Sequence, residues 1–167
     1  NGELIPLTLA DWDEKAGTIC LVVQGMGTSS IEINKMKVGE AFTGIAGPLG
    51  LPSDLHRYEG KQTVVFTAGG VGLPPVYPIM REHLRLGNHV TLISGFRSAD
   101  LLFWTGEDER VGKLKAEFGD QLDVIYTSND GSFGVKGFVT GPLEEMLKNG
   151  KKHKGRQIAE VVTIGPP

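Results

Sequence analysis

Gln62-Thr63-Val64-Val65-Phe66-Thr67-Ala68-Gly69-Gly70-Val71-Gly72-Leu73-Pro74-Pro75 decides the fold. Residues 62–67 are β-branched and apolar and end in glycine, the pattern of a buried strand. The loop Ala68-Gly69-Gly70-Val71-Gly72 then opens a helix from about Pro74 to Leu86. Pro74 and Pro75 suit a first turn, where a missing N–H costs nothing, and Gly87 suits the end. Pro78 is expected to confine or kink that turn. The alternation continues outward: strand His89–Ser94, helix Glu107–Phe118, strand Leu122–Thr127, a polar loop Ser128–Gly137, helix Thr140–Lys148, a basic connector Lys151–Arg156 and strand Ala159–Ile164. Strands alternating with helices specify βαβ units and a parallel sheet, so the class is α/β with a Rossmann-like domain.

Before residue 60 the texture differs. Leu4–Leu9 alternates like a strand, Asp11–Gly17 reads as a polar turn, and Thr18–Gln24 is a strong strand, together an antiparallel pair. Gly25–Ser30 leads into a short helix over Ile31–Met36 with Thr28 or Ser29 as N-cap. Ala41–Ala46 is a further short strand ending in Gly47-Pro48-Leu49-Gly50. The chain therefore divides into a β part, 1–60, and an α/β part, 61–167. Three or so strands cannot close a barrel and remove its edges. The chain is expected to be part of a longer polypeptide, cut at both ends.

Composition narrows the function. With 167 residues and a net charge of −3, the chain lacks the basic excess of a nucleic-acid binder. No apolar run approaches the ~18 residues of a membrane span, and the first residues given do not read as a secretory signal. One cysteine excludes an internal disulfide framework and a four-thiolate iron–sulfur site within these residues. The oddity is 24 glycines, roughly twice average usage. Glycine on this scale serves either tight turns or close backbone approach to a ligand. Ten fall at expected element ends: Gly27, Gly47, Gly50, Gly69, Gly70, Gly72, Gly95, Gly131, Gly134 and Gly165.

Gly69–Gly72 lies where a βαβ unit holds a pyrophosphate against a helix N-terminus. Its spelling, GGVGLPP, is not GxGxxG, and a plain βα turn remains open as the other reading. At the end of the second strand Ser94-Gly95-Phe96-Arg97-Ser98 lacks the acid that would bind a ribose 2′-hydroxyl. Arg97 instead suits a 2′-phosphate, or is a solvated surface arginine. Lys136, in the loop Asn129–Gly137, is a further phosphate candidate or part of a flexible loop. Ile164-Gly165-Pro166-Pro167 ends on the same sheet edge, as a platform for a flat ring or a chain turn. His56, His83, His89 and His153 show no metal-ligand spacing, Cys20 reads as a buried thiol, and no side chain stands out as base or nucleophile. A cofactor is therefore expected to carry any chemistry.

Taken in order, Ile5-Pro6-Leu7-Thr8, Gly27-Thr28-Ser29, Gly47-Pro48-Leu49-Gly50, Gly69–Ile79, Arg97 with Asp100-Leu101-Leu102-Phe103, Asp130-Gly131-Ser132-Phe133-Gly134, Lys136–Thr140 and Ile164–Pro167 resemble the ferredoxin–NADP+ reductase superfamily. Within it the likeness is to the small flavoprotein subunits of NADH-dependent ferredoxin:NADP+ oxidoreductase, or sulfide dehydrogenase, and to dihydroorotate dehydrogenase electron-transfer subunits. The resemblance implies that residues 1–60 are part of an antiparallel FAD-binding barrel and 61–167 a C-terminally truncated NAD(P)-binding domain. Pro6, Leu7 and Thr8 would lie against the flavin ring. Gly27, Thr28 and Ser29 would face the FAD pyrophosphate, and Gly47, Pro48, Leu49 and Gly50 would line the flavin. Gly69, Gly70, Gly72, Leu73 and Pro74 would hold NADP(H) or NAD(H), Arg97 its adenosine end with Asp130 and Lys136 on the adjoining loop, and Gly165 and Pro166 would border the nicotinamide.

The implied function is electron transfer between NAD(P)H and an iron–sulfur or ferredoxin-type acceptor, by hydride transfer between nicotinamide and FAD. Its implied partners are ferredoxin and a larger flavin and iron–sulfur subunit, in the cytoplasm. Three departures stand out. Leu4 occupies the position of a family arginine that would pair with flavin phosphate, and the opening barrel strands are missing. So is the C-terminal cysteine cluster, so a [2Fe–2S] centre is expected only in a missing C-terminal part. The rival readings are a non-catalytic nucleotide-binding module of a redox complex and another α/β nucleotide enzyme such as a methyltransferase, which leaves residues 1–60 unexplained.

Overall fold

The computed structural model describes residues 4–166. The chain forms two compact units, Asn1–Asp54 and Leu55–Pro167. The division falls a few residues before 60 because Tyr58 packs on the core of the second unit.

In the first unit β1 (Leu9–Asp13) pairs antiparallel with β2 (Thr18–Leu21). The alternating stretch expected to be a strand, Leu4–Leu9, mostly precedes β1 as coil. The intervening turn sets this register. The Asp13 carboxylate accepts the amides of Lys15 at 2.9 Å and Ala16 at 3.0 Å, and Gly17 takes φ +63. That closes the chain with Asp13 opposite Thr18. Helix α1 (Thr28–Lys35) starts earlier than the expected Ile31, capped at Gly27, and buries none of its residues. Ala41–Ala46 forms no strand. Ala10 is the one buried apolar residue described in this unit.

The second unit is a six-stranded sheet in the order β6-β5-β4-β3-β8-β7. Its strands are β3 (Gln62–Gly69), β4 (Val90–Phe96), β5 (Leu122–Ser128), β6 (Val135–Lys136), β7 (Lys152–His153) and β8 (Arg156–Ile164), and β3, β4, β5 and β8 are parallel. Helices α2 (Leu73–Arg85), α3 (Arg110–Phe118) and α4 (Thr140–Lys148) cover it. Strand residues point alternately to the two faces. Val64, Phe66, Val90, Leu92 and Leu122 pack with Leu73, Val76, Met80 and Leu84 of α2 and with Val111 and Leu114 of α3. Val65 and Ile93 pack with Met146 of α4. Covered on both faces, β4 is buried along its whole length, as parallel strands usually are. Helix α2 continues through Pro78, which is itself buried.

The edge at the amino ends of the strands is polar. Buried Asn88 donates its amide to the His56 carbonyl at 2.7 Å and to His83 Nδ1 at 3.0 Å, and accepts the Tyr58 amide at 2.8 Å. His83 Nδ1 must therefore be unprotonated, and its Nε2 has no partner among the described residues. The His83 ring meets Phe66 edge-on at 5.6 Å. Nearby, Asp123 faces His89 at 3.5 Å and His153 at 3.7 Å and takes Lys154 at 2.5 Å. Burial pushes all three histidines below the usual imidazole value.

Two outcomes are expected. A Cβ on Gly72 would come within 2.1 Å of the Ile164 carbonyl oxygen, whereas one on Gly141 of α4 meets nothing within 4 Å. Gly72→Ala should cost at least about 2 kcal/mol in urea denaturation, and Gly141→Ala should gain about 0.5–1 kcal/mol. The depressed histidines leave the unfolded chain binding more protons below its ordinary value of about 6.5. The urea midpoint should therefore fall as pH drops from 7 towards 5 and stay level above 7.

Candidate functional site

The carboxyl ends of β3, β4, β5 and β8 share one edge, because these strands run parallel. The chain leaves β3 for β4 on one side, and β8 later returns to the other side. The strand order thus reverses between β3 and β8, where open α/β sheets bind ligands. The expected Gly69–Gly72 loop and the Ile164–Pro166 segment meet at that point. Gly165 lies 3.2 Å from the Gly69 amide nitrogen, measured from its would-be Cβ, and Gly69 lies 3.3 Å from Pro166 Cδ.

The glycines here have two roles. Gly69, Gly72 and Gly165 let the β3–α2 turn and the end of β8 approach each other. Gly70 adopts φ +50, and a side chain there would meet open space. Residues Gly70–Gly72 form one 3-10 turn before α2. Pro74 and Pro75 remove two helix-start donors, and the Leu73 amide is bonded to the Gly70 carbonyl. An anion at this helix start would thus rely on the amides of the 3-10 turn. Leu73 and Pro74 themselves are buried beneath it. The open backbone at Gly70, on a helix start at the reversal point, fits a dinucleotide phosphate.

Arg97 follows β4, is exposed, and its guanidinium makes no hydrogen bond or ion pair among the described residues. The loop after β5 is bound to it: the amides of Asn129 and Asp130 donate to the carbonyls of Phe96 and Arg97, at 3.1 and 3.2 Å. Hydrogen bonds from the Ser132 hydroxyl and amide hold the Asp130 carboxyl below the usual carboxylate range. Ser128 Oγ donates to the Phe133 carbonyl at 2.6 Å and accepts the Phe133 amide at 2.9 Å, which folds the loop back. Lys136 is exposed in β6, with its stem lying over Gly131. Beneath the loop, burial pushes the Tyr126 phenol up to about 12, so it stays neutral. Sequence reasoning did not single out Ser132, although the Asp130-Gly131 turn signal stands just before it.

In the first unit Pro6 and Thr8 are exposed and Leu7 is half-buried, just before β1. Gly27 caps α1, with Thr28 and Ser29 as its first residues. The Met26 and Gly27 amides are already taken by Ser30 Oγ, both at 3.0 Å. Gly47 to Gly50 are exposed, and Gly50 takes φ +89. Pro167 lies outside the described residues. Among the described residues no group of three His, Cys, Asp or Glu could hold a metal ion, and no helix is long and apolar enough to cross a membrane.

No family model matches the chain. It is 32% identical over 170 residues to an uncharacterized protein in the adh 3′ region of Clostridium beijerinckii, covering 99% of this chain and 53% of that one. It is 33% identical over 151 residues to a dihydroorotate dehydrogenase B (NAD+) electron transfer subunit homolog of Thermotoga maritima, covering 90% and 49%. The chain spans about half the length of the curated relatives it matches. Among solved structures, that of an NADH-dependent reduced ferredoxin-NADP oxidoreductase is similar with a TM-score of 0.72 at 30% identity, covering 86% of this chain and 48% of that one. The cytochrome b5 reductase domain of Ulva prolifera nitrate reductase shares the fold, with a TM-score of 0.64 at 20% identity over 96% and 66%. Both comparisons bear out the resemblance read from the sequence: the chain is a homologue of dihydroorotate dehydrogenase B electron transfer subunits, with the fold of the ferredoxin–NADP+ reductase superfamily.

Proposed function

We propose that this chain is part of a flavin-linked oxidoreductase that exchanges electrons between NAD(P)H and an iron–sulfur or ferredoxin-type acceptor. The observation that carries the reading is the open 3-10 turn Gly70–Gly72, at the start of α2, where the strand order reverses. In this reading the turn's amides hold the dinucleotide phosphates, and Gly165 and Pro166 border the nicotinamide. Arg97, free of any carboxylate, takes the adenosine end and favours a 2′-phosphate. Thr28, Ser29 and Gly47–Gly50 of the first unit contribute to an FAD site, with Pro6, Leu7 and Thr8 against the flavin. When bound, nicotinamide and flavin supply the hydride transfer itself. The chain's residues bind, orient and exclude water, and none acts as acid or base. In this reading a larger flavin and iron–sulfur subunit and ferredoxin are the partners.

One observation favours a second reading, a nucleotide-binding module without flavin. Among the described residues of the first unit Ala10 is the single buried apolar one, while the second unit has a full core. Visible absorbance separates the two. The electron-transfer reading expects the chain, after incubation with FAD and removal of excess, to retain a flavin band that bleaches on adding NADPH. NADPH binding with no retained flavin supports the module. Arg97→Ala should weaken NADPH binding by about tenfold relative to NADH, the scale of one charge-assisted contact. An unchanged NADPH/NADH ratio would remove the 2′-phosphate assignment.

A further inference from the structure

The basic connector Lys151–Arg156 has no part in the cofactor reading, yet it is built into the sheet. Between Glu145 and Glu160 the chain carries no acid, while Lys148, Lys151, Lys152, Lys154 and Arg156 supply five of its 17 Lys and Arg residues. The segment leaves α4, forms β7 and turns back into β8, so these cations stand on one hairpin at the edge of the sheet. Four of its residues are left-handed: Gly150 at φ +66, Lys151 at +56, Lys154 at +45 and Gly155 at +74. Glycine and asparagine take that conformation most easily. Two lysines thus stand where the backbone disfavours them, in a chain of net charge −3.

Two of the five cations are neutralised. Lys148 faces Glu144 at 3.2 Å, and Lys154 faces Asp123 at 2.5 Å. Lys151 and Lys152 are exposed and Arg156 is half-buried, and their side chains make no hydrogen bond or ion pair among the described residues. Arg156 lines a cleft of about 200 Å³ at the strand starts, with Gln62, His89 and Gln121. Burial, and then the Arg156 charge, hold the His89 imidazole below its ordinary value. The one acid described in the cleft lining, Asp120, is exposed and does not pair with Arg156. A half-buried guanidinium without a carboxylate is one half of a bidentate pair.

We propose that this hairpin docks an acidic segment of a partner protein, one carboxylate entering the cleft onto Arg156 and others meeting Lys151 and Lys152. Charge complementarity selects that occupant. A nucleic acid would meet the negative excess of the whole chain. An anionic membrane would find no apolar side chain to insert among residues 148–157. Lysine also guards open strand edges, but β7 has only two residues, and Lys151 and Lys154 stand in the turns beside it. Along β8 Arg156 precedes Ile164 by eight residues, roughly 26 Å at about 3.3 Å per residue. The occupant is therefore bound at the edge opposite the Gly70–Gly72 turn, and the proposal does not depend on what that turn binds.

The test is fluorescence anisotropy of the full chain with a labelled oligoglutamate peptide, at about 20 mM and about 150 mM salt. Wild type should bind it, more weakly at the higher salt, and should not bind the matching oligoglutamine. Lys151→Asn with Lys152→Gln should weaken binding about fivefold, the scale of two exposed ion pairs. Asparagine suits the left-handed position, so the turn is retained. Arg156→Gln should weaken binding about tenfold, the scale of one charge-assisted contact. Lys15→Gln with Lys37→Gln removes as much charge from exposed positions of the first unit. At the higher salt it should change binding less than about twofold. A thermal melt of each variant checks that it remains folded.

The proposal is overturned if the oligoglutamate does not bind, or if the variant at Lys15 and Lys37 weakens it as much as the hairpin variants do, which would reduce the effect to net charge. It is overturned if the hairpin variants leave binding unchanged, including where they self-associate on a sizing column, the result expected of lysines that only guard an edge. It is also overturned if a DNA duplex or a phosphatidylserine vesicle binds more tightly than the peptide and loses that binding in the same variants.

Discussion

A methyl group on Gly72 would stand 2.1 Å from the Ile164 carbonyl oxygen, and the layout of the second unit depends on that close approach. It seats the first turn of α2 against the end of β8, beside β3 in the centre of the sheet. Because the contact is backbone to backbone, no residue larger than glycine fits without moving one of the two elements. The same contact brings the Gly70–Gly72 turn and Gly165–Pro166 together, although nearly a hundred residues separate them in the chain. A surface is thereby assembled from two segments that the packing itself requires to be glycine-rich.

The second unit divides its chemistry between its two edges. At the carboxyl edge the described groups available to a ligand are mainly backbone amides, the Arg97 guanidinium, the Lys136 ammonium and small side chains. At the amino edge stand Asn88, hydrogen-bonded to His83 and to the segment that enters the unit at His56 and Tyr58, and Asp123, which faces His89 and His153. These titratable groups tie chain segments together. Their perturbed protonation reflects burial, a cost borne by the fold.

The two units differ in what holds them. The second has apolar clusters on both faces of its sheet. The first relies on a short hairpin, an Asp13-centred turn and a capped helix, and leaves Leu4, Val38, Leu49 and Leu51 almost fully exposed. Local hydrogen bonds from Asp13 and Ser30 shape that unit more than burial does. This explains why alternation misled at Leu4–Leu9. Period-two hydrophobicity locates a strand only where a buried face rewards it, and here a turn, fixed by one carboxylate, chose the register.

By itself the sequence determined the α/β class, the order of strands and helices in the second unit and the position of the glycine loop. Each follows from local periodicity and from proline and glycine at element ends. Arg97 also stands out in the sequence, since an arginine where an acid is usual is a matter of residue type. Only the tertiary structure decided which glycines pack and which stay open. Gly70 and Gly72 sit two residues apart in one motif, yet one faces empty space and the other the Ile164 carbonyl. It likewise decided that Ser132, after β5, accepts the Ala99 amide, after β4, because the two loops meet only when β4 and β5 lie side by side. Contacts between residues distant in the chain are set by strand order, and strand order is a property of the whole sheet.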